Sequence, residues 1–284
     1  MSSPLWPARL DHVSRESDQP EALVTFYTRT LGLRSSQLND DCWALTAPGR
    51  RLLIKRGRAC QQPTHGFRLG GTTQVSDLRR HCTEQGIACE PTDNPFLADA
   101  FAVTDPDNRQ AVFGLDKWPE ELTSSSASAL PGRLQHVVIA TRDLSGMVAF
   151  YQDKLGFRAS DHVYDGLPAD GKITATFLRS DPEHHSFAAF LSPENRADHL
   201  SFETNEWNDI RDWADHMAGC GIRLWWGPGR HGPGNNLFFM IEDPEGYKLE
   251  LSAEIEHLTA DVAPRSWTHE ERTLNLWGNA WMRS

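Results

Sequence analysis

Three side chains could do chemistry together: His136 in LQHVVIA, His199 in ADHLSFE and Glu250 in KLELS. Each sits in a run that alternates apolar and polar residues, the period of a strand that sends successive side chains to opposite faces. In YKLEL the carboxylate of Glu250 falls on the opposite face from its leucine neighbours, an odd choice for mid-strand unless it has a partner. The residue types suggest that the partner is a cation. Two imidazoles and a carboxylate on one side of a metal ion leave its other side open. A non-haem Fe(II) oxygenase needs that opening for substrate and dioxygen. Zinc could take the same donors, but it prefers a closed tetrahedral site. Taken singly, each residue has a plainer reading. A strand histidine is usually a hydrogen-bonded core residue, and a strand carboxylate is often salt-bridged. The metal is favoured because the three fall at the ends of a duplicated module and in matching strand contexts.

That duplication sets the elements that must position them. FYTRTLGLRSS at 26–36 is echoed by FYQDKLGFRAS at 150–160, and LDHVS at 10–14 by LQHVV at 134–138. His12 precedes Phe26 by 14 residues, and His136 precedes Phe150 by 14. QGIACEP at 85–91 pairs with CGIRLWW at 220–226, and DPDNRQAVFG at 105–114 with DPEGYKLELS at 243–252. Four echoes in one order mark a repeated unit. In the second copy Asp143 is placed to cap a helix that ends near Leu155, with Gly156 to stop it. Strands are predicted near 173–179, 185–191 and 197–203. A helix over 206–219 carries Trp207, Ile210 and Trp213 at helical spacing. The turn residues Asp243-Pro244-Glu245-Gly246 predict a hairpin from 237–241 and 247–251. The fold class is α+β, two tandem βαβββ-module domains.

The boundaries follow composition. Residues 1–116 form an N-terminal domain without a complete metal site, because the position of Glu250 is Val112 in that copy; His12 matches His136 and His65 roughly matches His199. Residues 117–133, rich in Ser, Ala and Pro, form a linker. Residues 134–254 form the catalytic metal-binding domain. Residues 255–284 form a tail whose Trp267, Trp277 and Trp281 are expected to dock on it.

The 284 residues, 39% hydrophobic and 24% charged, suit a globular protein. A net charge of −11 disfavours nucleic acid and anionic membrane as partners. No apolar run is long enough to span a bilayer, and the N-terminus lacks the pattern of a secretory signal. Five cysteines without a CxxC pair fit reduced thiols, so a cytoplasmic location is expected. A homo-oligomer is expected too. Neither a phosphate-binding loop nor a GxSxG elbow occurs.

Over about residues 9–284 the sequence resembles the vicinal oxygen chelate superfamily, and within it the two-module type I extradiol ring-cleaving dioxygenases (catechol 2,3-dioxygenase-like). The segments that carry the likeness are HVVIATRDLSGMVAFYQDKLGFRAS, HHSFAAF, DHLSFE, WGPGRHGPGNNLFF, DPEGYKLEL and RTLNLWG. The resemblance implies the glyoxalase/bleomycin-resistance/extradiol dioxygenase fold and Fe(II), with Mn(II) possible, on His136, His199 and Glu250. It implies His185 as the histidine that assists dioxygen activation and proton transfer, with His184 as an alternative, and His231 as the one that orients substrate. It implies an aromatic diol and dioxygen as substrates, with ring cleavage beside the diol and insertion of both oxygen atoms. Phe177, Phe187, Trp225, Trp226, Arg230, Phe239 and Met240 are candidates for the substrate pocket; with no obvious cationic clamp there except Arg230, a neutral or bulky aromatic substrate is expected. One departure stands out: the family's tyrosine, three residues before Asp243, is Met240 here, and a thioether has no proton to give. The alternative is therefore a metal-dependent enzyme of the same superfamily with different chemistry, an isomerase, hydrolase or non-catechol dioxygenase.

Overall fold

Each copy of the repeat builds its own mixed sheet. The structure, a computed structural model, describes residues 3–59, 63–118, 130–167, 170–259 and 261–282. The first copy runs β1 (Ala8–Ser17), α1 (Pro20–Leu31), β2 (Arg34–Asn39), β3 (Cys42–Ala47), β4 (Arg50–Arg56), β5 (Thr64–Leu69), α2 (Thr72–Glu84), β6 (Glu90–Pro91), β7 (Leu97–Thr104) and β8 (Gln110–Asp116). The second runs β9 (Arg133–Thr141), α3 (Leu144–Val148) with a π-helical turn at Ala149–Lys154, β10 (Arg158–Asp165), β11 (Lys172–Arg179), β12 (Phe187–Leu191), β13 (Arg196–Thr204), α4 (Trp207–Gly219), β14 (Trp226–Arg230), β15 (Leu237–Glu242) and β16 (Lys248–Ala253). The tail adds β17 (Arg265–Thr268) and the short α5 (Glu271–Leu274).

The sheets have the orders β2-β3-β4-β1-β5-β8-β7-β6 and β14-β15-β16-β13-β9-β12-β11-β10-β17. Each module is thus a pair of βαβββ units joined along its two first strands, β1 with β5 and β9 with β13. Local chemistry explains the joints. Asp143 accepts a hydrogen bond from the Gly146 amide at 2.9 Å and caps α3. Gly156, at φ +89, ends the helical segment in a conformation that suits glycine. On α4, Ile210, Trp213 and Met217 are buried, but Trp207 is 43% exposed and leans on Trp277 of the tail instead.

One core serves both modules. Val13, Leu10 and Phe67 pack in the same cluster as Val137, Ile139 and Phe187. Two reciprocal contacts tie the halves: Tyr27 of the first donates to Asp243 of the second at 2.7 Å, and Tyr151 of the second to Asp105 of the first at 3.4 Å. Both acceptors are the Asp of an Asp-Pro turn, where the other carboxylate oxygen caps two turn amides at 2.9 Å. The FY and DP echoes in the sequence therefore meet in space, each across the module boundary. Residues 119–129, most of the expected linker, lie outside the described residues; Lys117 and Trp118 before them bond to the carbonyls of Asn94 and Pro95. The opposite face of the second sheet carries a separate cluster of Val138, Val163, Phe177 and Phe190, with Trp267 of the tail against it.

Candidate metal centre

His136 on β9, His199 on β13 and Glu250 on β16 stand on three adjacent strands. The register explains their meeting: Ser201 of β13 lies opposite His136 on one side and Glu250 on the other. His199, two residues before Ser201, therefore shares their face. One ligand atom from each of the three lies within 4.8 Å of the others, and all three residues are buried. His136 Nε2 is 3.7 Å from Glu250 Oε1, and His199 Nε2 is 3.6 Å from Glu250 Oε2.

The far ring nitrogens are tied down. His199 Nδ1 lies 2.7 Å from Asp198, and His136 Nδ1 bonds to the amide oxygen of Gln135. Gln135 is in turn fixed by donating to Glu183 at 3.1 Å and to the His185 carbonyl at 2.6 Å. With Nδ1–H donated outward, each ring turns an Nε2 lone pair toward the centre. Glu250 accepts from Ser201 at 3.1 Å and from Asn236 at 3.2 Å. Burial alone would push its carboxyl up, but the hydrogen bond with His231 and the charges of His136, His231 and His199 hold it at about 2. Burial also takes His136 down to about 3. An ionised carboxylate and a neutral imidazole are the forms that bind a cation. The donor set suits a divalent ion with one face open.

Around this cluster is a cavity of about 30 Å³, lined by Val138, Phe177, Phe190, Pro233, Thr273 and Leu274 besides His136, His185, His199, His231 and Glu250. His185 packs 4.3 Å, centroid to centroid, from His136. Burial first, then its histidine neighbours, hold His185 well below its usual value. Its Nδ1 lies 2.9 Å from Nδ1 of His184, whose Nε2 is 2.9 Å from Asp161 on β10. His231 Nε2 is 3.4 Å from Glu250, its Nδ1 bonds to the Leu274 carbonyl at 2.5 Å, and Phe238 stacks on its ring.

The other pocket candidates divide. Phe177 lines the cavity. Phe187 and Phe239 do not; both belong to the shared core on the other face. Phe239 lies opposite Leu251, and Phe187 opposite Val137, so strand alternation points both away. Met240 lies opposite Glu250, on its face and fully buried, but does not line the cavity. Trp226 packs on His231 and Phe238 from outside, and Trp225 on Trp281 of the tail. Arg230 turns away to Glu254 at 2.8 Å and the Asn235 carbonyl at 2.6 Å. Neither Tyr164 nor Tyr247 lines the cavity, so among the lining residues no phenol stands in for Met240. The supporting residues that sequence reading missed are Gln135, Asp198 and Asp161, together with Leu274. The first two immediately precede the histidines they orient, which is a readable signal; Asp161 and Leu274 arrive through long-range pairing.

The same register test changes the view of the first module. Gly66 of β5 lies opposite His12 and Val112, as Ser201 lies opposite His136 and Glu250. The counterpart of His199 is therefore Thr64, two residues before Gly66, and not His65. His65 takes the place of Leu200, faces the shared core 6.0 Å from Phe187, and has no hydrogen-bond partner among the described residues.

Comparison with known proteins gives the chain its relatives. The family model described as Glyoxalase/Bleomycin resistance protein/Dioxygenase superfamily matches residues 133–251. An iron-dependent extradiol dioxygenase of Rhodococcus jostii (strain RHA1) is 32% identical over 247 residues, 81% of this chain and 81% of that protein. Metapyrocatechase 2 of Cupriavidus necator is 34% identical over 150 residues, 52% of this chain but only 45% of that relative's length. The crystal structure of homoprotocatechuate 2,3-dioxygenase from Arthrobacter globiformis matches with a TM-score of 0.83 at 24% identity, covering 99% of this chain and 91% of the other. At that identity the match speaks for the fold.

Proposed function

The chain belongs to the glyoxalase/bleomycin resistance protein/dioxygenase superfamily and, within it, to the extradiol dioxygenases; from that premise we propose that its second module holds one Fe(II) on His136, His199 and Glu250. The reaction is cleavage of a catechol-type ring beside its two hydroxyls, with both atoms of dioxygen entering the product. The convergence of three buried donors within 4.8 Å carries this reading. Iron is favoured over manganese because the relative that matches over 81% of its length is called iron-dependent. His136, His199 and Glu250 would hold such an ion with one side open, where it would supply Lewis-acid and redox chemistry for a diol and dioxygen.

The chain's own groups do the rest. His185 borders the cavity with one ring nitrogen engaged by His184. Its other nitrogen is the acceptor for a diol proton and its donor later, since the ring is uncharged when substrate arrives. His231, anchored by Leu274 and stacked on Phe238, presents Nε2 beside Glu250 and orients the diol. Val138, Phe177 and Phe190 grip the ring and keep water out. Residues 134–254 act as the catalytic domain, and 255–284 close its cavity through Thr273 and Leu274. Among the described residues no helix is long and apolar enough to cross a membrane.

Metal analysis of anaerobically purified protein, then oxygen uptake on catechols, tests the reading. About one iron per chain with catechol-dependent uptake supports it. One observation favours a second reading: Met240 puts a thioether on the face of Glu250 where the resemblance calls for a phenol. Metal at full occupancy without oxygen uptake would point to a superfamily enzyme of different chemistry.

A further inference from the structure

The cavity wall offers an anion nothing to hold. Apart from the histidines and Glu250, the lining is Val138, Phe177, Phe190, Pro233, Leu274 and Thr273. The hydroxyl of Thr273 is already donated to the Thr268 carbonyl at 2.6 Å. Among the described residues no lysine or arginine lines the cavity. The nearby cations are committed elsewhere or face water. Arg230 bonds to Glu254 and Asn235, Arg265 to Asp161 at 2.8 Å and to Glu256, and Arg179 to the Ala159 carbonyl at 2.9 Å and to Ser160 at 2.8 Å; Arg272 is exposed. Beside Val138, Phe177 and Phe190, on the same sheet face and in the same cluster, stand Val163, Ala175 and Ala188, so the surroundings of the wall are apolar too.

Resting on the ring-cleavage reading above, we propose that the substrate is a catechol whose ring substituents are uncharged, and that carboxylated catechols are excluded. An ionised carboxylate pressed against this wall would lose its hydration without gaining a donor, and an unpaired buried charge is among the costliest arrangements in a protein. An alkyl group there would instead exchange water for carbon contacts. As it stands, the cavity of about 30 Å³ holds only one or two waters. Even unsubstituted catechol requires the side chains around Leu274 to give way.

The test uses Fe(II)-loaded full-length protein and two probes of similar size, 4-ethylcatechol and 3,4-dihydroxyphenylacetate. Anaerobic calorimetric titration reads binding without turnover, and oxygen uptake then reads kcat/KM. The expected result is a Kd and a kcat/KM at least about 100-fold worse for the carboxylated probe, the scale set by an unpaired charge. Values within about threefold of each other, or a preference for the carboxylate, overturn the inference while leaving ring cleavage intact. Binding of neither probe while unsubstituted catechol binds overturns the inference alone; no binding of catechol either overturns the ring-cleavage reading, and this inference with it.

Discussion

The two modules share a topology and can be compared at three equivalent positions on one sheet face, of which two differ. In the second module these are His136, His199 and Glu250; in the first they are His12, Thr64 and Val112. The surviving histidine is spoken for. His12 Nδ1 lies 2.8 Å from Asp11, and Asn94 donates to Nε2 at 2.9 Å. Its ring also lies over Gly66 so closely that a Cβ there would sit 2.0 Å from Cε1. In the second module that place belongs to Ser201, whose hydroxyl supports Glu250. A buried imidazole hydrogen-bonded at both nitrogens by its own module's core is a structural residue, and one that turns Nε2 toward a buried carboxylate is a candidate ligand. The fold supplies the face, and side chains at fixed register positions decide what that face does.

Substitutions can break or sharpen this contrast. Glu250→Ala should have the largest effect, reducing oxygen uptake by roughly a thousandfold or more because an open-faced site depends on its one anionic ligand; His12→Gln should leave uptake within about twofold, since the sites do not share partners. Uptake assays on both proteins check the pair. Val112→Glu places a carboxylate at the Glu250 position of the first module without a partner for it. It should lower stability by about 3 kcal/mol in urea unfolding and add no metal. Removing a supporting acceptor should act more mildly: Asp198→Ala should weaken metal binding about 10–100-fold, read by competition with a chelator.

A pH experiment addresses Glu203, on β13 of the second module. Burial lifts the Glu203 carboxyl from 4.5 to about 7. The folded state then binds the proton more tightly than the unfolded state, so stability falls as pH rises from about 4.5 through about 7. Glu203→Gln should flatten that part of the stability–pH curve, and an unchanged slope would assign it to another group. The smallest effect is expected at the module tie. Tyr27→Phe should cost about 1 kcal/mol, and Tyr151→Phe less, because the second bond is the longer.

Much of the architecture was legible because local signals agreed: the Asp143 cap, the Asp-Pro turns and the four echoes all point to one repeat. Glu250 was readable because a carboxylate between leucines in a strand needs a reason. Faces were harder. The four-residue turn at 243–246 sets Met240 opposite Glu250, which already implies that Phe239 points to the core. The face of Phe187 depends on pairing with Val137, fifty residues away, and sequence does not show it. The match of His65 to His199 failed by a single position, and in a strand one position reverses the face. The orientation of Arg230 depends on Glu254 and a loop carbonyl. Its role in sequence could not distinguish a pocket cation from a surface ion pair.

The most direct test of the central claim is metal stoichiometry by anaerobic titration of Fe(II) into metal-free protein. The account predicts one tight site per chain, abolished by His199→Ala and untouched by Thr64→Ala. Two sites per chain, or a single site that survives His199→Ala, would contradict it.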